Sequence, residues 1–165
     1  MSRAFVKEQD GSIEKLPDLP LSEHTNYVTP RGLAQLRERL VDVRVRRDEL
    51  KASSDAMAQQ RELAALEREL RWLSARVGSA VEIDPAKQPR DRVAFGALVA
   101  VDSAEGERRY RIVGEDEADA EHGLVSYVSP LAQALLGARV GEEVNWRRPA
   151  GDLAIEVLAI DYGEG

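Results

Sequence analysis

Two leucine-rich runs constrain this chain more than anything else in it. Leu33, Leu36, Leu40, Val43, Arg47 and Leu50 follow at alternating spacings of three and four, and Leu63, Leu66, Leu70, Leu73 and Val77 repeat the rhythm. That alternation is the a/d seam of a helix that packs lengthwise on another helix. The second seam extends back through Gln59 to Ala56. Between the seams lies only the break Ala52-Ser53-Ser54-Asp55, so the pattern predicts an antiparallel helical hairpin. Neither helix can bury its seam alone, and each therefore needs the other. Thr29-Pro30 reads as the start signal, with a capping hydroxyl and a proline where no N–H is needed. The first helix then spans roughly 23 residues, or about 35 Å. Gly78 is the expected stop of the second.

The remaining sequence changes character on either side of the hairpin. Residues 1–28 hold Gly11, Pro17, Pro20 and scattered charge without a sustained period, and read as a flexible tail. Residues 81–91, with two prolines, read as a linker. Beyond it, strands are expected over 93–101, 109–113, 124–128, 143–147 and 153–160. Ser129-Pro130 opens a short helix with Leu131, Leu135 and Leu136 on its apolar face, stopped by Gly137. The expected fold is α+β: a coiled-coil hairpin at 29–80, then a β-sheet domain with one short helix at 92–162.

Composition removes several classes of function. There is no cysteine, which excludes disulfides, thiol catalysis and cysteine zinc sites. His24 and His122 are the only histidines and lack ligand partners at helical spacing, so no metal site is expected. No run reaches the ~18 apolar residues of a membrane span, and no apolar signal segment opens the chain. These features fit a cytoplasmic protein without a membrane role. Net charge is −7, but residues 30–80 carry a net +3 on an otherwise acidic chain. The acidic remainder argues against a general nucleic-acid-binding surface and fits a protein partner with a basic docking face.

Four stretches in order carry a family resemblance: FGALVAV at 95–101, YRIVGEDEAD at 110–119, SYVSPLAQALLGARVGEE at 126–143, and the closing Pro149-Ala150-Gly151 before a strand. Together with the hairpin they resemble the bacterial Gre transcript-cleavage factors over roughly residues 29–162. The chain is similar to divergent members with shortened arms, such as the regulator of nucleoside diphosphate kinase group. The resemblance implies an FKBP-like C-terminal domain, and a monomer that docks on the rim of the bacterial RNA polymerase secondary channel. It also implies a hairpin projecting towards the polymerase active site, with possible contact to RNA or DNA there. The docking loop would comprise Tyr127, Val128, Ser129, Pro130 and Leu131. Many members carry Asp or Asn where Val128 stands, which leaves the polarity of docking open.

In the family, the hairpin tip carries two carboxylates, in a stretch like G-D-L-x-E-N-A-E-Y, that help hold a catalytic magnesium ion in the polymerase. Hard Mg²⁺ requires oxygen ligands at about 2 Å. Here the tip offers Ser53, Ser54 and a single Asp55, with Asp48 and Glu49 one or two turns back. Against the family pattern the hairpin is also short by about two heptads in total, leaving its tip about 10 Å short. The expectation is a non-enzymatic regulator without catalytic residue, metal or cofactor. The alternatives are a true cleavage factor using Asp55 with Asp48 or Glu49, and an FKBP-like isomerase or chaperone. The third lacks an aromatic pocket in sequence, where Phe95, Tyr110, Tyr127, Trp146 and Tyr162 lie dispersed. The acidic run at 115–119 reads as a solvated turn, and Arg37, Arg39, Arg44, Arg46 and Arg47 as a solvated helix face.

Overall fold

A computed structural model describes residues 15–53 and 56–163, with the side chains of all of these except 56–58. The leucine seams close on each other as helix α1, Pro30–Ala52, and helix α2, Ala56–Ser79. Leu33, Leu36, Leu40, Val43 and Leu50 of α1 are buried with Leu63, Leu70 and Leu73 of α2. α1 begins as its sequence dictates: Thr29 Oγ1 accepts from the Gly32 N–H at 3.0 Å, and Pro30 takes the first helical position. It ends at Ser53, whose N–H reaches the Leu50 carbonyl at 3.2 Å. α2 stops at Ser79, one residue past the expected Gly78, which keeps a right-handed backbone in the last turn and does not form a left-handed cap.

The second layer is a five-stranded sheet in the order β5-β4-β3-β7-β6. Its strands are β3, Leu98–Ser103; β4, Arg108–Val113; β5, Leu124–Ser126; β6, Glu143–Trp146; and β7, Leu153–Asp161. Only the β4–β5 pair is parallel. Helix α3, Pro130–Leu135, is set by the predicted Ser129-Pro130 start and packs Leu131, Ala132 and Leu135 with Val99, Val101, Ile112, Ile155 and Val157. β3 starts five residues later than expected because Gly96 takes φ +88°, a left-handed turn that a strand cannot continue through. Instead, Tyr162 clamps the approach. Its hydroxyl donates to the Arg92 carbonyl at 2.7 Å and accepts from the Ala94 N–H at 2.9 Å.

The tail and the linker also depart from expectation. Residues 1–14 lie outside the described residues, but 15–28 lie against the body. Tyr27–Val28 forms strand β1, which pairs in parallel with β2, Val81–Glu82. The Val81 N–H reaches the Asn26 carbonyl at 2.8 Å, and the Ile83 N–H reaches Val28 at 3.0 Å. Two-residue strands have no period to betray them, and their partner stands more than fifty residues away. No described helix is long and apolar enough to cross a membrane.

Candidate functional site

The hairpin base and the sheet domain meet at residues 114–117, inside the acidic run 115–119 expected to be a solvated turn. Over 115–117 that expectation fails, because each carboxylate has a partner across the junction; Asp119 stays exposed beside its neighbour His122. The Asp116 carboxylate pairs with Arg76 Nε at 2.7 Å, where the Arg76 side chain is 4% exposed and that of Asp116 17%. Arg76 Nη2 also donates to Asn26 Oδ1 at 2.9 Å, and Asn26 Nδ2 returns a bond to the Arg76 carbonyl at 2.8 Å. Glu117 is buried and accepts from the Thr29 hydroxyl, the same hydroxyl that caps α1. Glu115 accepts from the Ser22 hydroxyl at 2.8 Å. The close approach leaves no room for side chains on two glycines. A Cβ on Gly32 would meet Glu117 Oε1 at 2.8 Å, and one on Gly114 would meet the Tyr27 carbonyl oxygen at 2.3 Å.

Three of the aromatic residues are likewise not dispersed. Tyr27, Phe95 and Tyr127 form a triangle with ring centroids 5.4 to 5.9 Å apart. Tyr110 and Trp146 form a separate edge-on pair at 6.4 Å. The triangle joins β1, the approach to β3 and the segment after β5, a convergence that sequence spacing cannot display. It is a packed joint, with offset and edge geometries favourable for aromatic pairs.

The loop expected to dock on a partner follows directly from this joint. Tyr127 hands its N–H to the Val113 carbonyl at 2.9 Å and its hydroxyl proton to the Thr25 carbonyl at 2.7 Å. Burial, then the Glu115 carboxylate, pushes its phenol above the ordinary value. Ser129 Oγ caps α3 through the Ala132 N–H at 3.3 Å, and Gln133 Nε2 donates to the Tyr127 carbonyl at 2.7 Å. Leu131 is 4% exposed in the sheet-domain core. Of the five loop residues, Tyr127, Ser129 and Leu131 are therefore spent on holding the loop's shape. Val128 is half-buried and Pro130 exposed.

At the far end of the hairpin, Ser53 is half-buried, while Ser54 and Asp55 lie outside the described residues. The nearby carboxylates have basic neighbours. Asp48 pairs with Arg47 at 3.0 Å, Glu62 with Arg46 at 3.0 Å, and Glu49 lies 3.9 Å from Arg46. Arg39 also pairs across the hairpin, with Glu69 at 2.7 Å. Two of the five arginines expected on a solvated face, Arg39 and Arg46, thus pair across the hairpin while staying more than half exposed. Arg47, the polar member of the seam, turns to its neighbour Asp48 near the open end. Among the described residues, no three His, Asp or Glu side chains cluster at metal-binding spacing.

Comparison with known proteins places these features. Residues 87–162 match the family described as transcription elongation factor GreA/GreB, C-terminal. The chain is 38% identical over 159 residues to transcription elongation factor GreB of Xanthomonas axonopodis pv. citri, covering 87% of this chain and 95% of that one. It is 38% identical over 116 residues to transcription elongation factor GreA of Nitratiruptor sp., covering 69% and 71%. Among solved structures, GreA factor homolog 1 of Thermus thermophilus is 24% identical, with 84% and 99% covered and a TM-score of 0.40.

Proposed function

The chain belongs to the GreA/GreB family of transcription elongation factors, and from that footing we propose that it regulates elongation by occupancy, without stimulating transcript cleavage. Its partner is bacterial RNA polymerase, and its docking surface is the outward part of the 127–131 loop at the rim of the secondary channel. From there the hairpin enters the channel and takes up space that substrates or other Gre factors would use. Blocking of this kind needs shape and affinity but no carboxylate chemistry.

The observation that carries the reading is the length of the arm. Helices of 23 and 24 residues reach about 35 Å. Against the family pattern the hairpin is short by about two heptads in total, about seven residues per arm. A paired loss of heptads preserves the seam while drawing the tip back about 10 Å. Coordination to a metal fails over such a distance whatever the tip residues are. The ion pairs of Asp48, Glu49 and Glu62 with Arg46 and Arg47 support the same reading.

Fluorescence anisotropy of the labelled chain with purified bacterial RNA polymerase tests the docking. The expected result is saturable binding that an authentic GreA or GreB displaces. Val128→Arg should weaken it at least tenfold with an unchanged melting temperature. Binding that is indifferent to both the competitor and Val128→Arg would refute the shared site.

A further inference from the structure

The segment Lys15-Leu16-Pro17-Asp18-Leu19-Pro20 has a period of three: leucines at 16 and 19, prolines at 17 and 20. Proline fixes its own φ and holds the preceding residue extended, so both leucines are driven towards polyproline II geometry. That helix has three residues per turn, which places Leu16 and Leu19 on one side. Their burial follows the same period. Leu16 and Leu19 are half-buried, whereas Lys15, Pro17, Asp18 and Pro20 are exposed. An extended segment with one face pressed down is a ribbon bound to a surface.

Both ends of this ribbon are tied, and to different parts of the molecule. At its start, Arg71 of α2 donates through Nη2 to the Leu16 carbonyl at 2.8 Å and through Nε to Asp18 Oδ1 at 2.5 Å. At its end, Ser22 donates to Glu115, and the Thr25 carbonyl accepts from the Tyr127 hydroxyl. In between, Leu21, Ser22 and His24 to Asn26 wall a cleft whose other side is Ala75, Arg76 and Ser79. Arg71 stands eight residues before the end of α2, or about 12 Å above the hairpin base. The Arg76 and Glu117 contacts hold the base as a pivot, and a tie at that height resists swinging about it.

We propose that residues 15–25 form a strap that fixes the direction of the hairpin relative to the sheet domain, with Arg71 and Tyr127 as its anchor points. The prolines keep the cost of ordering small, because the free segment already samples the bound geometry. The Asp18–Arg71 pair is exposed, so the hold at that end is weak and screened by salt. The strap is therefore a releasable brace. The hairpin points one way while it is seated and gains freedom when it lifts.

The test uses the full chain without any partner, so its outcome is separate from that of the polymerase-binding experiment. The chain has no cysteine, and Val45→Cys with Leu158→Cys adds a label on an exposed position of each part. Pulsed electron paramagnetic resonance then reads the distance distribution between hairpin and sheet. Two variants loosen the strap: Leu16→Ser with Leu19→Ser, and Asp18→Lys, which changes only an exposed residue. Unchanged circular dichroism and a cooperative melt establish that each is folded. The expected result is a distribution at least twice as wide as in the parent for the leucine variant, and a smaller broadening for Asp18→Lys. The parent in 1 M KCl should move towards Asp18→Lys. A leucine variant as narrow as the parent would overturn the proposal.

Discussion

Replacing Asp116 by Ala should destabilise the protein far more than an ion-pair count suggests. Arg76 is buried beside Asp116, and its guanidinium has two anionic or carbonyl-type acceptors, the Asp116 carboxylate and Asn26 Oδ1. Removing the carboxylate strands a buried cation with a single neutral acceptor and the face of Trp72, 5.9 Å away. Breaking one side of a buried pair costs about 3–5 kcal/mol, because the remaining charge stays desolvated. For a chain of this length each kcal/mol lowers Tm by about 2–4 °C, so the expected fall is about 6–20 °C. Arg39→Ala breaks an equally short pair, but the Arg39 side chain is 57% exposed, and the expected loss is below about 1 kcal/mol. Urea denaturation of Asp116→Ala, Arg76→Met and the double variant completes the argument. The double variant should be less destabilised than Asp116→Ala alone, since no orphaned charge remains. An Asp116→Ala loss no larger than that of Arg39→Ala would refute the claim that this buried pair holds the junction.

Other consequences follow from the same contacts. Gly78→Ala, in the last turn of α2 with nothing within 4 Å of the new Cβ, should stabilise by about 0.4–1 kcal/mol in urea melts. Gly114→Ala should instead cost about 1–3 kcal/mol, because the methyl group meets the Tyr27 carbonyl oxygen and β1 must shift. Burial raises the Tyr162 phenol above its ordinary value, and the hydroxyl serves both Arg92 and Ala94. Its neutral form is thus favoured in the folded state. That contribution is complete below the unfolded phenol value of about 10 and is lost as pH rises through the higher folded value. Chemical melts from pH 8 to 11 should show stability falling at the alkaline end, with a shallower fall in Tyr162→Phe.

What the sequence discloses is what repeats or caps locally. The hairpin is legible because a three–four period sustained over five or six positions has one physical cause, and Thr29-Pro30 and Ser129-Pro130 are legible because capping is decided within four residues. The junction is not legible. Arg76 looks like any helix arginine until Asn26 and Asp116, each at least forty residues away, arrive around it. The acidic run at 115–119 has the composition of a solvated turn, and only the tertiary fold supplies Ser22, Arg76 and Thr29 as its partners. The aromatic triangle is hidden for the same reason. The outline of the 127–131 loop is readable from its motif, but the contacts that tie Tyr127, Ser129 and Leu131 into the body and leave Pro130 exposed depend on packing. One missed signal was present in the sequence: the three-residue period of Leu16-Pro17 and Leu19-Pro20 marks an ordered ribbon inside what reads as a tail.

The most direct test of regulation by occupancy is a backtracked elongation complex with labelled RNA. The chain is added alone, and then together with an authentic Gre factor, while RNA shortening is followed. Regulation by occupancy requires no shortening above the polymerase's own rate with the chain alone, and dose-dependent suppression of shortening by the authentic factor. Shortening stimulated by the chain alone, and abolished by Asp55→Ala, would contradict it and make the protein a cleavage factor with an unusually short arm.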